Sequence, residues 1–583
     1  MLPWILHRGF PVFKAFSGKA YPAGRGLLAH SVLRNVGEPG EGVSLRVSQG
    51  RRVQKKERQP NMTAVIALTL GVVAAVSTDA PATWIAANEY SRVVLRSPEG
   101  GGEMQAAVED FALYWQKMTG HDARSSAGDT HASGREIAVY IGRANVPGAL
   151  AHAMNLDGLS EDEYCIKTVT TAEGKALVIA GGSDRGTSYG VFDFLERCLG
   201  IRWLTPDYTY IPAAPASIPD TAVRYKPIFE YRDTTYLTAA NLKGIDAFRR
   251  FHRIYPGPGF SCHTSYALVP PDEHFQTHPE YYSLRGGKRV APVGVNMHSL
   301  VEQAKHPDKL GQLCYSNPAV AETVFEQFKR QIDRNPAEKT LHLSQQDWIN
   351  NCECGACQTI DEREGTPMGS VLTCINRIAD MLQAQRPGYS VETLAYWYTR
   401  KPPKKMVPRD NVVIKLCSIE CDFFRPLDDP DAELNRDFVS DIMKWSAIAK
   451  RLHIWDYTPN YAHFSMPHPN FHVLFPNARF FAEHKVKGLF EQGAEIYGGE
   501  FCYLRTYMVM KCMWNPYLDG DAVRDEFIDL YYGKAAPYIK EYIELAASTV
   551  RDSGRPMTCF DEGRWLTLPF IEAAEGLFQK ALA

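Results

Sequence analysis

Five stretches of the 583-residue chain end in side chains able to move protons or grip polyols. They are Leu343-Ser344-Gln345-Gln346-Asp347-Trp348, Ala395-Tyr396-Trp397-Tyr398-Thr399, Cys417-Ser418-Ile419-Glu420, His453-Ile454-Trp455-Asp456-Tyr457 with Asn460 close behind, and Gly488-Leu489-Phe490-Glu491-Gln492. Each follows or closes an apolar run. One acid after such a run says little. Four such acids, interleaved with Trp and Tyr, describe a polar cleft with aromatic walls. That composition suits a sugar, whose apolar ring faces stack on indole and phenol rings and whose hydroxyls need carboxylates and amides. Two carboxyl groups flanking a glycosidic bond supply the acid and the base or nucleophile of hydrolysis, provided their environments push their pKa values apart. Glu491, Asp347, Glu420 and Asp456 are therefore the candidate catalytic residues. Trp348, Gln346, Tyr396, Trp397, Trp455, Tyr457, Asn460, His263 and Tyr266 are the candidate substrate contacts. The competing reading pairs Asp347 and Asp456 with structural arginines, pairs Glu420 with Arg425, and puts the tryptophans in the core.

Groups so far apart in sequence meet only if strands deliver them to one edge. From about residue 225 the pattern alternates strand and helix. The clearest strands are Leu341–Leu343, Thr393–Thr399, Val412–Cys417, Leu452–Tyr457 and Val486–Phe490, with helices around 318–334, 366–385, 432–450 and 475–484. Tyr231–Tyr236 and Ser261–Leu268 are earlier strand candidates. Repeated β-then-α units predict a parallel sheet, most economically a (β/α)8 barrel with its chemistry at the carboxyl ends of the strands. The predicted fold class is α/β: this barrel over 225–500, a small α/β domain over 84–220 before it, and a helical region over 501–583 after it. Gly181-Gly182-Ser183-Asp184-Arg185-Gly186 resembles a phosphate loop only superficially. Lacking the Lys-Ser/Thr pair, it reads as a tight turn into a helix.

Composition narrows the classes. The chain is 45% hydrophobic, 22% charged and 11% aromatic, which is globular and not disordered. The formal charge of −3 hides an asymmetry of +8 over residues 1–60 against −10 over 81–583. An acidic body argues against nucleic acid as a partner, because phosphates need a basic face. No P-loop, no GxGxxG after a strand, no HExxH and no GxSxG is present. Arg51, Arg52, Lys55, Lys56 and Arg58 precede an apolar run of 14 residues, Thr63 to Val76, and then small residues up to Ala82. That layout predicts a secretory signal over 62–80, too short to span a bilayer, with 1–61 a non-native extension. The alternative is a buried helix after a disordered arm. The expected product is secreted or periplasmic, has no membrane span, and meets a glycan or glycoprotein.

All thirteen cysteines follow that segment. Cys352-Glu353-Cys354-Gly355-Ala356-Cys357 crowds three thiols just after Asp347. A disulfide pinning the loop is the expected role, with Cys417 and Cys421 as further partners. Zinc is the alternative, redox catalysis a third, and a metal needs a fourth ligand from elsewhere. No metal or cofactor is assigned to the site.

Longer motifs resemble a known family. HPEYY at His278, QLCYSNP at Gln312, LSQQDW at Leu343 with CECGAC behind it, and TLAYWYTRKPP at Thr393 are such motifs. IKLCSIECDFFRPL at Ile414, HIWDYTPNYAH at His453, GLFEQG at Gly488 and YYGKAAPYI at Tyr531 continue the series. Together they make residues 230–550 resemble the bacterial domain-of-unknown-function family 4838. That family overlaps glycoside hydrolase family 163, retaining endo-β-N-acetylglucosaminidases acting on complex N-glycans. ALYWQKMTG and GGSDRGTSYGVFDFLE make residues 84–215 look like the small α/β domain preceding the barrel in α-glucuronidases and β-hexosaminidases. The resemblance implies a glycosidase. One scheme has the substrate's own acetamido group attack the anomeric carbon, with Glu491 or Glu420 as acid and Asp347 or Asp456 orienting the acetamide. Covalent double displacement is the other. Two alternatives are an α-glucuronidase-like hydrolase using Arg232, Arg253 or Arg400 to hold a uronate, and a non-catalytic glycan-binding protein.

Overall fold

The computed structural model describes residues 83–85, 92–96, 102–125, 136–171, 174–213, 217–237, 243–255, 262–296, 299–494 and 499–583. The expected extension over 1–61 and signal over 62–80 lie outside the described residues. No helix among the described residues is long and apolar enough to cross a membrane.

The first layer is a six-stranded sheet with strands β1 (Arg92–Arg96), β2 (Ala123–Ser125), β3 (Glu136–Ile141), β4 (Tyr164–Thr171), β5 (Gly174–Gly181) and β6 (Ala222–Tyr225). Their order is β6-β4-β5-β3-β1-β2. β4 runs antiparallel to both neighbours; the other pairs are parallel. Helices α1 (Glu103–Thr119) and α2 (Asp184–Arg197) join this unit. α1 buries Ala107, Val108, Phe111, Tyr114 and Trp115, the spacing of one helical stripe. Phe111 stacks on Trp115 at 5.8 Å and on Phe194 of α2 at 5.9 Å. The turn into α2 is the tight one expected: Ser183 caps the helix by accepting from the Gly186 amide. A Cβ at Gly182 would lie 2.0 Å from the Ser160 carbonyl oxygen, so only glycine fits there.

The second sheet positions the site. Its strands are β7 (Tyr231–Thr234), β8 (Thr340–His342), β9 (Ser390–Ala395), β10 (Val412–Cys417), β11 (Arg451–Tyr457) and β12 (Gly488–Gln492). The order is β7-β12-β11-β10-β9-β8 and every pair is parallel. Helices α3 (Pro318–Arg334), α4 (Gly355–Glu364), α5 (Met368–Gln385), α6 (Asn435–Ile448) and α7 (Leu474–Glu483) lie between successive strands in the chain. α3 starts where Asn317 accepts from the Ala319 amide, with Pro318 at the first helical position. It buries Val320, Val324, Phe328 and Ile332 along one face.

This arrangement corrects the expected (β/α)8 barrel. The structure holds a half-barrel: β7 and β8 are the two edges of a six-stranded sheet and do not pair with each other. The expected strand Ser261–Leu268 is instead a turn and a short helix, Ser265–Leu268. Thr264 and Ser265 bond to the end of β8 through His342 O and Ser344 O. On the far edge Tyr255 makes one antiparallel bridge to Arg232. Pro270 and Pro271 follow at once, and proline has no amide to continue a ladder.

After the second sheet come helices α8 (Cys502–Trp514), α9 (Gly520–Tyr532), α10 (Ala536–Ser553) and α11 (Leu568–Leu582). α8 is buried on every side from Leu504 to Trp514, Arg505 and Lys511 included, and packs against β7.

Candidate functional site

The loop after β8 carries the most open of the four acids. Asp347 is 57% exposed, and His263 Nε2 lies 3.9 Å from its Oδ1. The same oxygen accepts a hydrogen bond from the Tyr396 hydroxyl at 3.0 Å. Burial, then the charge of Asp347, drives the Tyr396 phenol far above its ordinary value, so it stays a donor. Trp397 stacks on Tyr396 at 5.0 Å and 17°, and is itself 37% exposed. An open indole thus lies beside an open carboxylate.

The loop is held rigidly. The Gln312 amide donates to the carbonyls of Gln346 (3.1 Å) and Trp348 (2.6 Å) and accepts from the Gln346 backbone N–H (2.9 Å). Gln346 donates to His263 O and Ser265 Oγ, and the Trp348 indole to Gly311 O. These two residues therefore build the loop. Tyr266 is likewise buried and bonded to Gly311 O. Two non-glycine residues flanking Asp347 adopt left-handed backbone, His263 (φ 53°) and Trp397 (φ 49°). Such conformations cost about 1 kcal/mol or more each and gather where function fixes a geometry. Sequence carried no sign of them.

Glu420, past the end of β10, is 42% exposed and paired with Arg400 at 2.8 Å. Arg400 also holds Asp441 at 2.9 Å. Arg425, the partner expected from sequence, sits by Asp422 and Asp429 instead. Tyr396 feels the charge of Asp347 most strongly among the nearby acids and that of Glu420 less.

The other two acids do not join them. Asp456 on β11 and Glu491 on β12 are in register, and alternation puts them on the sheet face opposite Trp455, Tyr457 and Gln492. α8 covers that face, and its Cys512 feels both carboxyls. Asp456 is 5% and Glu491 2% exposed. Ser418 donates to Asp456, while Glu491 Oε2 has no hydrogen-bond partner. Burial, then the like charge of Asp456, pushes the Glu491 carboxyl well above its usual range; burial also raises Asp456. One proton held within the pair avoids two adjacent charges in a dry site. Unfolding exposes Glu491, so it ionises near pH 4.3 there and above that in the native state. Its contribution is thus present at low pH and lost as pH rises through the native value. Glu491→Gln is expected to raise the urea midpoint at pH 8 and to leave it unchanged near pH 4. Parallel unfolding curves at the two pH values check this.

Trp455 and Tyr457 form a buried floor: the Trp455 indole donates to Gln492 Oε1 at 2.8 Å and the two rings stack at 6.1 Å. Asn460 is a turn residue, accepting from the Ala462 and His463 amides and donating to Asp561 O.

Sequence reasoning missed one cluster. Glu392 on β9 pairs with Lys415 on β10 at 2.7 Å. His342 and His453 lie 3.1 and 3.4 Å from the same carboxylate. The signal was present as a charged residue interrupting each apolar strand. The cluster faces a cavity of about 770 Å³ that also touches Asp162, Arg185 and Tyr255. It lies at the amino ends of the strands, whereas ligands of open parallel sheets bind beyond the carboxyl ends.

The three crowded thiols gain a fourth. Cys314, Cys352, Cys354 and Cys357 place their sulfurs within 4.8 Å of one another. All thirteen cysteines are free thiols, Cys417 and Cys421 included, against the expected disulfides. The four sulfurs are placed close enough to share one ion.

Residues 203–544 match the family described as Domain of unknown function (DUF4838), and residues 85–194 match Glycosyl hydrolase family 67 N-terminus. No curated protein matches the chain. Solved structures similar to it include a family GH115 4-O-methyl-α-glucuronidase with specificity for decorated arabinogalactans. That pair shares 11% identity over 79% of this chain and 62% of the other, with a TM-score of 0.45. Another is a GH138 enzyme targeting pectin rhamnogalacturonan II, at 12% identity, 79% and 69% coverage and a TM-score of 0.43. A third is a family 89 glycoside hydrolase from Clostridium perfringens in complex with 2-acetamido-1,2-dideoxynojirmycin, at 10% identity, 78% and 56% coverage and a TM-score of 0.39. At these scores the likenesses carry no argument about activity.

Proposed function

The chain belongs to the family described as Domain of unknown function (DUF4838), and on that premise we propose that it is an exported glycoside hydrolase cleaving β-linked N-acetylglucosamine within glycans. The observation that carries the reading is the open Asp347 hydrogen-bonded to Tyr396, whose ring stacks on the exposed Trp397. The family 67 N-terminal match supports a glycosidase of either kind, and the resemblance of the motifs to family 4838, which overlaps glycoside hydrolase family 163, supports the N-acetylglucosamine reading.

The roles follow from mobility and restraint. Asp347 is open to solvent and is proposed as the proton donor to the glycosidic oxygen. Glu420 is fixed by Arg400 and is proposed to orient the substrate acetamide. The acetamide oxygen then bonds to the anomeric carbon as the leaving sugar departs with the Asp347 proton. Water attacks the anomeric carbon of the resulting oxazolinium ion, whose N–H stays hydrogen-bonded to Glu420, and gives its proton to Asp347 as the acetamide re-forms, so configuration is retained. Trp397 stacks on the sugar face.

The second reading, hydrolysis of a uronic acid glycoside, is favoured by the family 67 N-terminal match. It needs a cation free to hold the uronate. Arg232 is buried against backbone carbonyls and Tyr189, Arg253 is buried against Glu196, and Arg400 already holds two carboxylates.

Incubating the full chain with an N-glycoprotein and with a glucuronic acid-capped oligosaccharide, and weighing the products by mass spectrometry, separates the two. Release of a glycan cut between its two core N-acetylglucosamines is the expected result. Loss of uronic acid alone would move the assignment to the second reading, and no product from either would leave a glycan-binding protein.

A further inference from the structure

We propose that Cys314, Cys352, Cys354 and Cys357 bind one zinc ion in a closed tetrathiolate site that fixes the loop carrying Asp347. The geometry is the first reason. Cys314 Sγ lies 3.6 Å from Cys354 Sγ and 3.9 Å from Cys357 Sγ. Four sulfurs about 2.3 Å from a central zinc sit at tetrahedral corners about 3.8 Å apart. A disulfide holds its sulfurs about 2.05 Å apart. All four sulfurs lie within 4.8 Å of one another, and these two separations match the edges of an S4 tetrahedron, the arrangement that selects zinc or iron.

The surroundings are the second reason. The Leu284 backbone N–H donates to Cys352 Sγ at 3.3 Å, and Arg289 Nη1 lies 3.7 Å from the same sulfur. Ser316 Oγ lies 3.0 Å from Cys357 Sγ and 3.6 Å from Cys314 Sγ. Donors around a thiolate, and one cation against the excess charge of four thiolates on a divalent ion, are what such a centre needs. Cys354 caps α4 and Cys357 sits in its first turn, where the helix dipole favours thiolate. Cys314, Cys352 and Cys357 are buried and Cys354 half-buried, which closes the site to substrate and makes it structural.

The ion would tie two distant segments together. Gln312, which clamps Gln346 and Trp348 around Asp347, stands two residues before Cys314. Cys352 stands five residues after Asp347. The inference stands whether or not the chain cleaves glycans.

The test is the metal content of the purified full chain, by plasma mass spectrometry, with a thiol titration under denaturing conditions before and after reduction. About one zinc per chain, lost in Cys314→Ser and Cys352→Ser, is the expected result. Refolding with cobalt(II) should give the intense visible bands of a tetrahedral thiolate site. A zinc-free chain whose four thiols appear only after reduction would overturn the proposal in favour of disulfides. A red, iron-loaded chain would overturn zinc in favour of iron. The wild-type measurements suffice even where a serine variant fails to fold.

Discussion

Replacing Asp347 by Asn is expected to lower N-glycan release by about 10²–10⁴-fold, the usual contribution of a positioned proton donor. The side chain keeps its size and its bond from Tyr396 but loses the proton. Because Asp347 is 57% exposed and, among the described residues, pairs with His263 and no arginine or lysine, the unfolding free energy should stay within about 0.5 kcal/mol of wild type. Leaving-group dependence separates the two proposed roles. An aryl N-acetylglucosaminide needs little protonation on departure, so Asp347→Asn should recover most of its rate on that substrate. Glu420→Gln should not recover, because the acetamide still lacks its orienting partner, whatever leaves. Wild-type rates in both variants would refute the site. Equal losses on both substrates for Asp347→Asn would assign it the orienting role instead.

Lys415→Met is the substitution expected to cost most stability, about 3–5 kcal/mol, the toll for stranding a buried charge. Lys415 and Glu392 are 4% and 5% exposed and 2.7 Å apart. Burial alone would raise the Glu392 carboxyl, but Lys415, His342 and His453 together hold it well below its usual range. A carboxyl depressed in the native state stabilises above its unfolded value, near pH 4.3, and that contribution is lost as pH falls through the native one. In the variant Glu392 must take up a proton to fold at neutral pH. The gap between wild type and Lys415→Met should therefore be widest at pH 7 and close towards pH 4. Urea midpoints across that range measure it. Adding Glu392→Gln to Lys415→Met should restore part of the loss, since no charge is then stranded. A gap that does not change with pH would place the effect in packing and not in charge.

The sequence by itself determined the elements. Short, largely apolar runs located β10 and β11, helical spacing located α3, and Gly-Gly-Ser located the turn into α2, because these patterns are set by neighbours a few residues apart. It also placed Asp347 beyond a strand end, while Trp397, expected inside a strand Thr393–Thr399, lies in the turn after β9 stops at Ala395. Only the tertiary structure decided which face of the sheet each strand-end acid meets. Asp456 and Glu491 differ from Trp455 and Gln492 by one position, and one position reverses the face. Nothing local says that α8 covers the side they occupy. Closure was likewise out of reach, since β7 and β8 either pair or stay edges according to contacts between segments far apart in the chain. The fourth thiol was hidden for the same reason: Cys314 and Cys352 become neighbours only when two loops fold together.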